Sequence, residues 1–173
     1  MSAVAINKVY NAGLYIDGET MIGMASEVEL PTITQKSAEH TALGMVGSTT
    51  HFAGFEGMEF SIKWSSVYAD AIAAIGDPFG VKTLQLRGNI DVYQGATLVD
   101  QQPYVVFLQA RFTELPAGSF KAHENVELET SGTANSMRIE IDGAEVVAYD
   151  PTASIYRLNG EDKLAQFRAN IGQ

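Results

Sequence analysis

The sequence predicts a mainly β protein, a barrel or sandwich of about seven or eight antiparallel strands with one flanking helix and a long loop. Apolar and polar residues alternate in several segments, Asp-Gly pairs separate some of them, and helical periodicity is rare. Alternation indicates strands with one buried face, because successive side chains point to opposite sides. Many short strands without alternating helices favour a barrel or sandwich.

Eight segments alternate in this way and are predicted as strands: Gly13–Ile16, Met21–Leu30, Met58–Trp64, Leu84–Val92, Tyr104–Leu115, Val126–Glu129, Met137–Ile141 and Glu145–Tyr149. Asp17-Gly18 and Asp142-Gly143 predict tight hairpin turns, because both turn residues need positive φ. Gln94-Gly95 predicts a third turn.

One helix is predicted at Val67–Ile75, with Ser66 as its N-cap and Gly76 at its end. A weaker pattern predicts a second helix at Glu161–Asn170. The stretch Thr32–Phe55 follows neither period, and a segment this long without its own structure is usually functional or mobile. No linker or repeat divides the 173 residues, so we expect a single domain.

Composition excludes several classes of function. The net charge of −10 argues against a tight nucleic-acid binder, which neutralises phosphates with Lys and Arg. The chain has no cysteine, which excludes disulfides, thiol catalysis and zinc ribbons. Met1–Tyr10 lacks the pattern of a signal peptide, and no apolar run approaches the roughly 20 residues of a membrane span. We therefore expect a soluble protein of the cytoplasm that makes it.

No pattern indicates catalysis, a metal site or a cofactor. His40, His51 and His123 lack metal-ligand spacing, and a structural or surface role is favoured. The acidic pairs lie two residues apart, side by side on one strand face, whereas two-carboxylate catalysis needs carboxylates facing each other across a cleft. Gly44–Gly47 lacks the Lys-Ser/Thr of a phosphate loop. The residues alone predict a β domain with a binding or structural role.

Two segments of the C-terminal third, Met137–Asp150 and Ile155–Gly172, resemble the ending of phage major tail tube proteins. The shared motifs are an Asp-Gly-x-Glu-Val hairpin, an Asn-Gly-x-Asp-x-Leu segment and a terminal Arg-x-Asn-Ile-Gly. Near the other end, Leu30–Lys36 and Gly44-Met45 are similar to the family's Leu-Pro-x-Leu-x-x-Lys run and Gly-Met loop. The similarity spans nearly the whole chain.

This resemblance implies a β-barrel related to the tube proteins of type VI secretion and R-type pyocins. Six copies would form a ring, and rings would stack into a hollow tube inside a contractile sheath. The implied partners are the tail sheath protein, the tape measure protein and passing DNA in the lumen, and the baseplate and tail terminator at the ends. The implied location is the virion tail, assembled in the bacterial host cytoplasm without membrane anchoring.

Three sets of residues follow as candidates for assembly. The inter-ring loop, 32–55, offers Leu43, Gly44, Met45, Val46, Gly47, His51 and Phe52. The lumen-lining candidates, each on the polar side of a predicted strand, are Glu27, Glu29, Glu59, Glu127 and Glu129. The C-terminal segment, 150–173, would pack on an adjacent subunit or the barrel exterior through Leu158, Leu164, Phe167 and Ile171.

Two alternatives remain open. A tube protein of a pyocin-like particle or of type VI secretion would share the fold without DNA passage, and gene neighbours would separate it from a phage tail. A monomeric β-barrel that binds a small ligand would instead be a monomer with an apolar cavity, which size-exclusion chromatography or negative-stain microscopy would detect.

Overall fold

The computed structural model describes residues 4–173, which form twelve strands and two short helices. The interpretation of Met1–Tyr10 falls in part on residues 1–3, which lie outside the described residues. The first strands are β1 (Ala5–Ile16), β2 (Glu19–Thr20), β3 (Ala25–Glu29), β4 (Gln35–His40), β5 (Thr49–Phe55) and β6 (Met58–Trp64). The later strands are β7 (Lys82–Gln94), β8 (Thr97–Phe112), β9 (Leu128–Ile141), β10 (Ala144–Asp150), β11 (Ile155–Leu158) and β12 (Glu161–Asp162). The helices are α1 (Ala69–Ile75) and α2 (Ala165–Asn170).

Ten strands belong to one antiparallel sheet that forks at β9. Its main path runs β12-β11-β10-β9-β8-β7-β1-β2. On one edge of β9, the N-terminal half, Leu128–Ala134, pairs with β6, and β6 pairs with β3. The C-terminal half of the same edge, Met137–Ile141, pairs with β10. Strand β9 therefore holds the two branches of the sheet together.

The apolar sides of these strands enclose a single core. Buried side chains from β1, β6, β7, β8, β9 and α1 form one cluster, so the sheet curls around it. The indole nitrogen Nε1 of buried Trp64 donates to Thr130 Oγ1 at 3.1 Å, which satisfies the polar atoms of both residues. Gly132 lies against the Phe60 ring, where a Cβ atom would come within 2.6 Å of the ring. The close packing of β6, β8 and β9 therefore requires a glycine here.

The predicted fold class and all three turns are confirmed. The prediction of β6 matches at both ends. Asp17 and Gly18 have φ values of 50° and 87°, and Asp142 and Gly143 have values of 51° and 74°. Gly95 also has positive φ, at 63°.

Several boundaries differ from the predictions. The two strands predicted at Val126–Glu129 and Met137–Ile141 are the two ends of β9, because the small polar residues between them also pair with β6 and β8. The segment predicted as one strand at Met21–Leu30 begins with a turn, and only Ala25–Glu29 is β3. Five strands that lack alternation were not predicted: β2, β4, β5, β11 and β12.

The predicted N-cap at Ser66 is wrong. Helix α1 begins at Ala69 after Tyr68, and the Ser66 hydroxyl instead donates to Asn125 Oδ1 at 3.2 Å. Ala71 and Ile75 are buried, and Val67, the first residue of the predicted helix, precedes α1 and is half exposed. The second predicted helix is shorter than expected, because only Ala165–Asn170 is helical.

The interpretation of Thr32–Phe55 as a segment without its own structure is also wrong. Strands β4 and β5 pair as an antiparallel hairpin, separate from the main sheet. All six residues of β4 and the first five of β5 are exposed. We call this hairpin, residues 35–55, the arm. Neither of its faces is buried, so its sequence has no apolar side to reveal the strands.

Candidate assembly surfaces and polar sheet face

The polar sides of β3, β6, β9 and β8 form one continuous surface, which we call the polar face. Cross-strand neighbours lie on the same side of a sheet, so the pairing register groups its residues into rows. The rows are Glu27–Lys63–Glu129, Glu29–Ser61–Ser131 and Glu59–Thr133–Arg111. The polar face lies on the side of the sheet opposite the core and α1.

Four of the five lumen-lining candidates meet on this face, namely Glu27, Glu29, Glu59 and Glu129. Glu127 is exposed and lies just before β9, outside the paired rows. The rows hold these four carboxylates against two cations, Lys63 and Arg111, so their net charge is −2. Which wall of an assembly this face forms remains a prediction.

Lys63 is the central charge of the first row. Its ammonium Nζ donates to Glu27 Oε2 at 2.8 Å, and Glu129 is its direct neighbour on β9. The hydrogen bond to Glu27 raises the pKa of Lys63, and the charges of Glu129 and Glu29 act in the same direction. Lys63 was not among the residues predicted from the sequence, although the alternation in β6 places it on the same strand face as Glu59.

Farther along the same side of the sheet, each of two arginines has a carboxylate partner. Arg138 lies 3.2 Å from Glu140 and stacks on the Phe107 ring at 4.5 Å from its centroid. Arg157 donates two hydrogen bonds to Glu145, at 2.8 and 3.0 Å. That contact lowers the pKa of the Glu145 carboxyl. Arg138 thus links β9 to β8 through Phe107, and Arg157 links β11 to β10; neither contact was found from the sequence.

The inter-ring candidates lie on the arm. Five of them, Leu43 to Gly47, form its tip between β4 and β5, where Leu43 and Val46 are fully exposed. His51 lies in β5 beside His40, with ring centroids 6.2 Å apart. Phe52 lies nearer the root of the arm and packs edge-on against Phe55 at 5.1 Å.

The root of the arm meets the C-terminal segment. The Phe55 ring lies 5.0 Å from Tyr149 and 5.1 Å from Tyr156. A cavity of about 250 Å³ separates Phe52 and Phe55 from the side chains of Leu164 and Phe167. The structure therefore brings together two candidate sets that the sequence treated separately.

The family comparison decides what kind of protein presents these surfaces. The family described as phage tail tube protein FII matches residues 6–172. The chain belongs to this family of phage tail tube proteins. The resemblance found in the sequence is thereby confirmed, and the family is one of structural tail components. A curated relative, the tail tube protein of Escherichia phage P2, is 29% identical over 165 residues, covering 92% of this chain and 93% of that protein.

Solved structures share the fold of this tail tube family member. One is a chain of the sheath–tube complex of PVC, an extracellular contractile injection system, in the extended state. It has a TM-score of 0.52 and 18% identity, and the match covers 77% of this chain and 90% of that chain. Another is a chain of the PVC sheath/tube terminator, with a TM-score of 0.52, 17% identity and coverage of 77% and 95%.

The C-terminal candidates of this tail tube protein divide between the sheet and its surface. Leu158 lies in β11 opposite Val147, so the segment extends the chain's own sheet. Phe167 and Ile171 are each about half exposed. Arg168 donates to Asp162 and to the carbonyl of Ser154, which fixes α2 against the preceding turn and lowers the pKa of Asp162.

Among residues 4–173, no group of three or more His, Asp or Glu side chains is placed to hold a metal ion. Neither helix within those residues is long and apolar enough to cross a membrane.

Proposed function

We propose that six copies of this chain form a ring and that stacked rings form the inner tube of a contractile tail, the conduit for DNA ejection through the host envelope. The family match over residues 6–172 is the observation that carries this proposal. Its partners would be the sheath protein outside, the tape measure protein and DNA inside, and the baseplate and tail terminator at the ends. The tube would assemble in the bacterial host cytoplasm and act in the virion as a structural protein, without catalysis or membrane anchoring.

The sheet edges support a ring. Strand β3 pairs only with β6, and the outer edge of β1 has no strand partner from Ala5 to Ala12 within the described residues. Unpaired edges are templates for strands of another chain. The two edges belong to different strands, so pairing β3 of one copy with β1 of the next would be a head-to-tail contact, which forms a ring where the rotation between copies closes.

The polar face supports the placement of the lumen. In a ring closed through β3 and β1, one side of the sheet holds the core and α1, and the opposite side is the polar face. We propose that the polar face lines the channel, with Glu27, Glu29, Glu59 and Glu129 on its wall and Glu127 at its margin. Like charge keeps DNA mobile, and it acts over about 8 Å at physiological salt.

The arm and the C-terminal segment would make the remaining contacts. We propose that Leu43, Met45 and Val46 at the arm tip reach a neighbouring ring, since Leu43 and Val46 are fully exposed and have no partner surface within residues 4–173. Phe167 and Ile171 would pack on an adjacent subunit, because their apolar side chains are half exposed.

Negative-stain microscopy and cysteine labelling test this proposal together. The purified chain should form hollow tubes of even diameter. Because the sequence has no cysteine, single substitutions report position cleanly. A cysteine in place of Glu59 should react with a bulky maleimide in dissociated protomers and be protected in tubes. The matched variant Ala73→Cys, on the exposed side of α1, should react in both states. A stable monomer, or equal labelling of Glu59→Cys in both states, would refute the assignment.

The tube of a phage-derived injection particle is the second candidate. The fold shared with the PVC sheath–tube complex favours it as an alternative. Genes for a capsid and a terminase beside this gene would favour the phage tail, and their absence would favour the particle.

A further inference from the structure

The polar face carries two cations in contrasting surroundings. Lys63 is held between Glu27 on one neighbouring strand and Glu129 on the other, with its ammonium 2.8 Å from the Glu27 carboxylate. Arg111 shares its row with Thr133 and Glu59, and no carboxylate of residues 4–173 forms an ion pair with it. The same face thus has one cation in an ion pair, Lys63, and one without an ion pair among the described residues, Arg111.

A cation on a DNA conduit has a cost for transport, if the proposed tube function holds. Every phosphate that a Lys or Arg side chain neutralises releases counterions and adds affinity. A tube repeats the same cation many times, so weak contacts would accumulate along a passing duplex. A lysine on this surface therefore needs neighbouring groups that prevent its ammonium from binding phosphates.

The register supplies such a feature. Neighbouring strands lie about 4.8 Å apart, so a phosphate that approaches Lys63 also approaches the carboxylates on both sides. An exposed ion pair is weak by itself and would not exclude a competing phosphate. The exclusion comes from charge count, because the row Glu27–Lys63–Glu129 has a net charge of −1.

We propose that Glu27 and Glu129 keep Lys63 from binding nucleic acid, so that this part of the polar face repels a polyanion although it contains a lysine. Lys63 in turn offsets the mutual repulsion of the carboxylates around it, Glu27, Glu29 and Glu129. Glu27 and Glu129 act through Lys63 and are positioning residues for a surface that does not retain nucleic acid. Arg111 is the cation of this face that can still bind a phosphate.

The test measures binding of a short fluorescent DNA duplex to the full chain, both as tubes and as protomers held densely on a surface by an N-terminal tag. The variant Glu27→Gln with Glu129→Gln changes the row charge from −1 to +1. Each added phosphate contact makes the slope of log affinity against log salt more negative by about 0.9. Two added contacts, one Lys63 from each of two neighbouring protomers, would therefore raise the affinity at 50 mM salt, relative to 200 mM, by about tenfold over wild type.

Three further variants locate the effect. Glu19→Gln with Asp70→Asn makes the same change in net charge at exposed positions away from the polar face and should leave binding near wild type. Adding Lys63→Gln to the Glu27/Glu129 variant should abolish the gain. Arg111→Gln should lower the residual binding of the wild type, whereas Lys63→Gln alone should not.

Opposite results would overturn the proposal. One such result is a Glu27/Glu129 variant that binds no more duplex than the Glu19/Asp70 control; another is a gain that survives Lys63→Gln. Fluorescence of Trp64 checks that each variant is folded, and the single substitutions Glu27→Gln and Glu129→Gln should each give part of the gain. Failure of the wild type to form tubes would refute the proposed function alone, because the surface-held protomers still report the charge effect.

Discussion

Gly132 tests the close packing that joins the two branches of the sheet. It lies in β9 between Phe60 of β6 and Phe112 of β8. A Cβ atom at this position would lie 2.5 Å from the carbonyl oxygen of Arg111 and 2.6 Å from two carbons of the Phe60 ring. Real Cβ atoms do not approach other atoms so closely, so Gly132→Ala must displace a strand as well as a side chain.

Overpacking of a core costs about 1–3 kcal/mol, and the backbone contact places Gly132→Ala near the upper end of this range. For a domain of this size, each kcal/mol lowers Tm by about 2–4 °C, so we expect a fall of roughly 4–12 °C. Thermal unfolding monitored by Trp64, the single tryptophan and 1% exposed, measures it.

The matched control is Gly57→Ala, where an added Cβ meets no atom within 4 Å. This variant should be unchanged, or more stable by up to about 1 kcal/mol through reduced entropy of the unfolded chain. If Gly132→Ala unfolds at the same temperature as Gly57→Ala, strands β6, β8 and β9 do not pack as described.

Three other predictions concern the assembly surfaces. Leu43→Ser with Val46→Ser should shift stability by less than about 0.5 kcal/mol but shorten tubes in electron micrographs, and long tubes would remove the arm tip from the inter-ring contact. Truncation after Asp150 should destabilise the protomer by more than about 2 kcal/mol in urea, because Tyr149 loses the Tyr156 ring at 6.1 Å and β10 loses its partner β11; an unchanged midpoint would contradict this. Arg157 lowers the pKa of Glu145 below its ordinary 4.5, so their contact stabilises the fold above that pH and is lost as pH falls through the lowered pKa. Arg157→Gln should therefore raise the pH of acid unfolding, with an effect of at most about 1 kcal/mol because the pair is partly exposed, and an identical acid transition would refute it.

Sequence patterns predicted the elements in which one face is buried. Strand β6 was found with correct ends because Met58, Phe60, Ile62 and Trp64 all enter the core. The hairpin turns were found because Asp-Gly readily adopts the positive φ values that both turn positions need. The arm was missed as a hairpin because both of its faces are exposed, and the middle of β9 was missed because Thr130, Gly132 and Ala134 are small where larger residues would signal a core strand.

The candidate surfaces could be predicted only within single strands. Alternation placed Glu27, Glu59 and Glu129 on polar faces, but it could not show that the pairing of β3, β6 and β9 brings them into adjoining rows. For the same reason the sequence shows Lys63 only as one more polar residue. Its electrostatic surroundings depend on Glu27, which lies 36 residues earlier in the chain, and on Glu129 in β9. Long-range register, which a local pattern does not contain, determines the chemistry of this face.

A reconstruction of tubes of the purified chain by electron cryomicroscopy tests the central claim most directly. We expect rings of six copies around an open channel, with Glu59, Lys63 and Glu129 on the channel wall and α1 on the outside. Rings in which α1 faces the channel and the polar face lies outward, or a chain that stays monomeric at every concentration, would contradict the account.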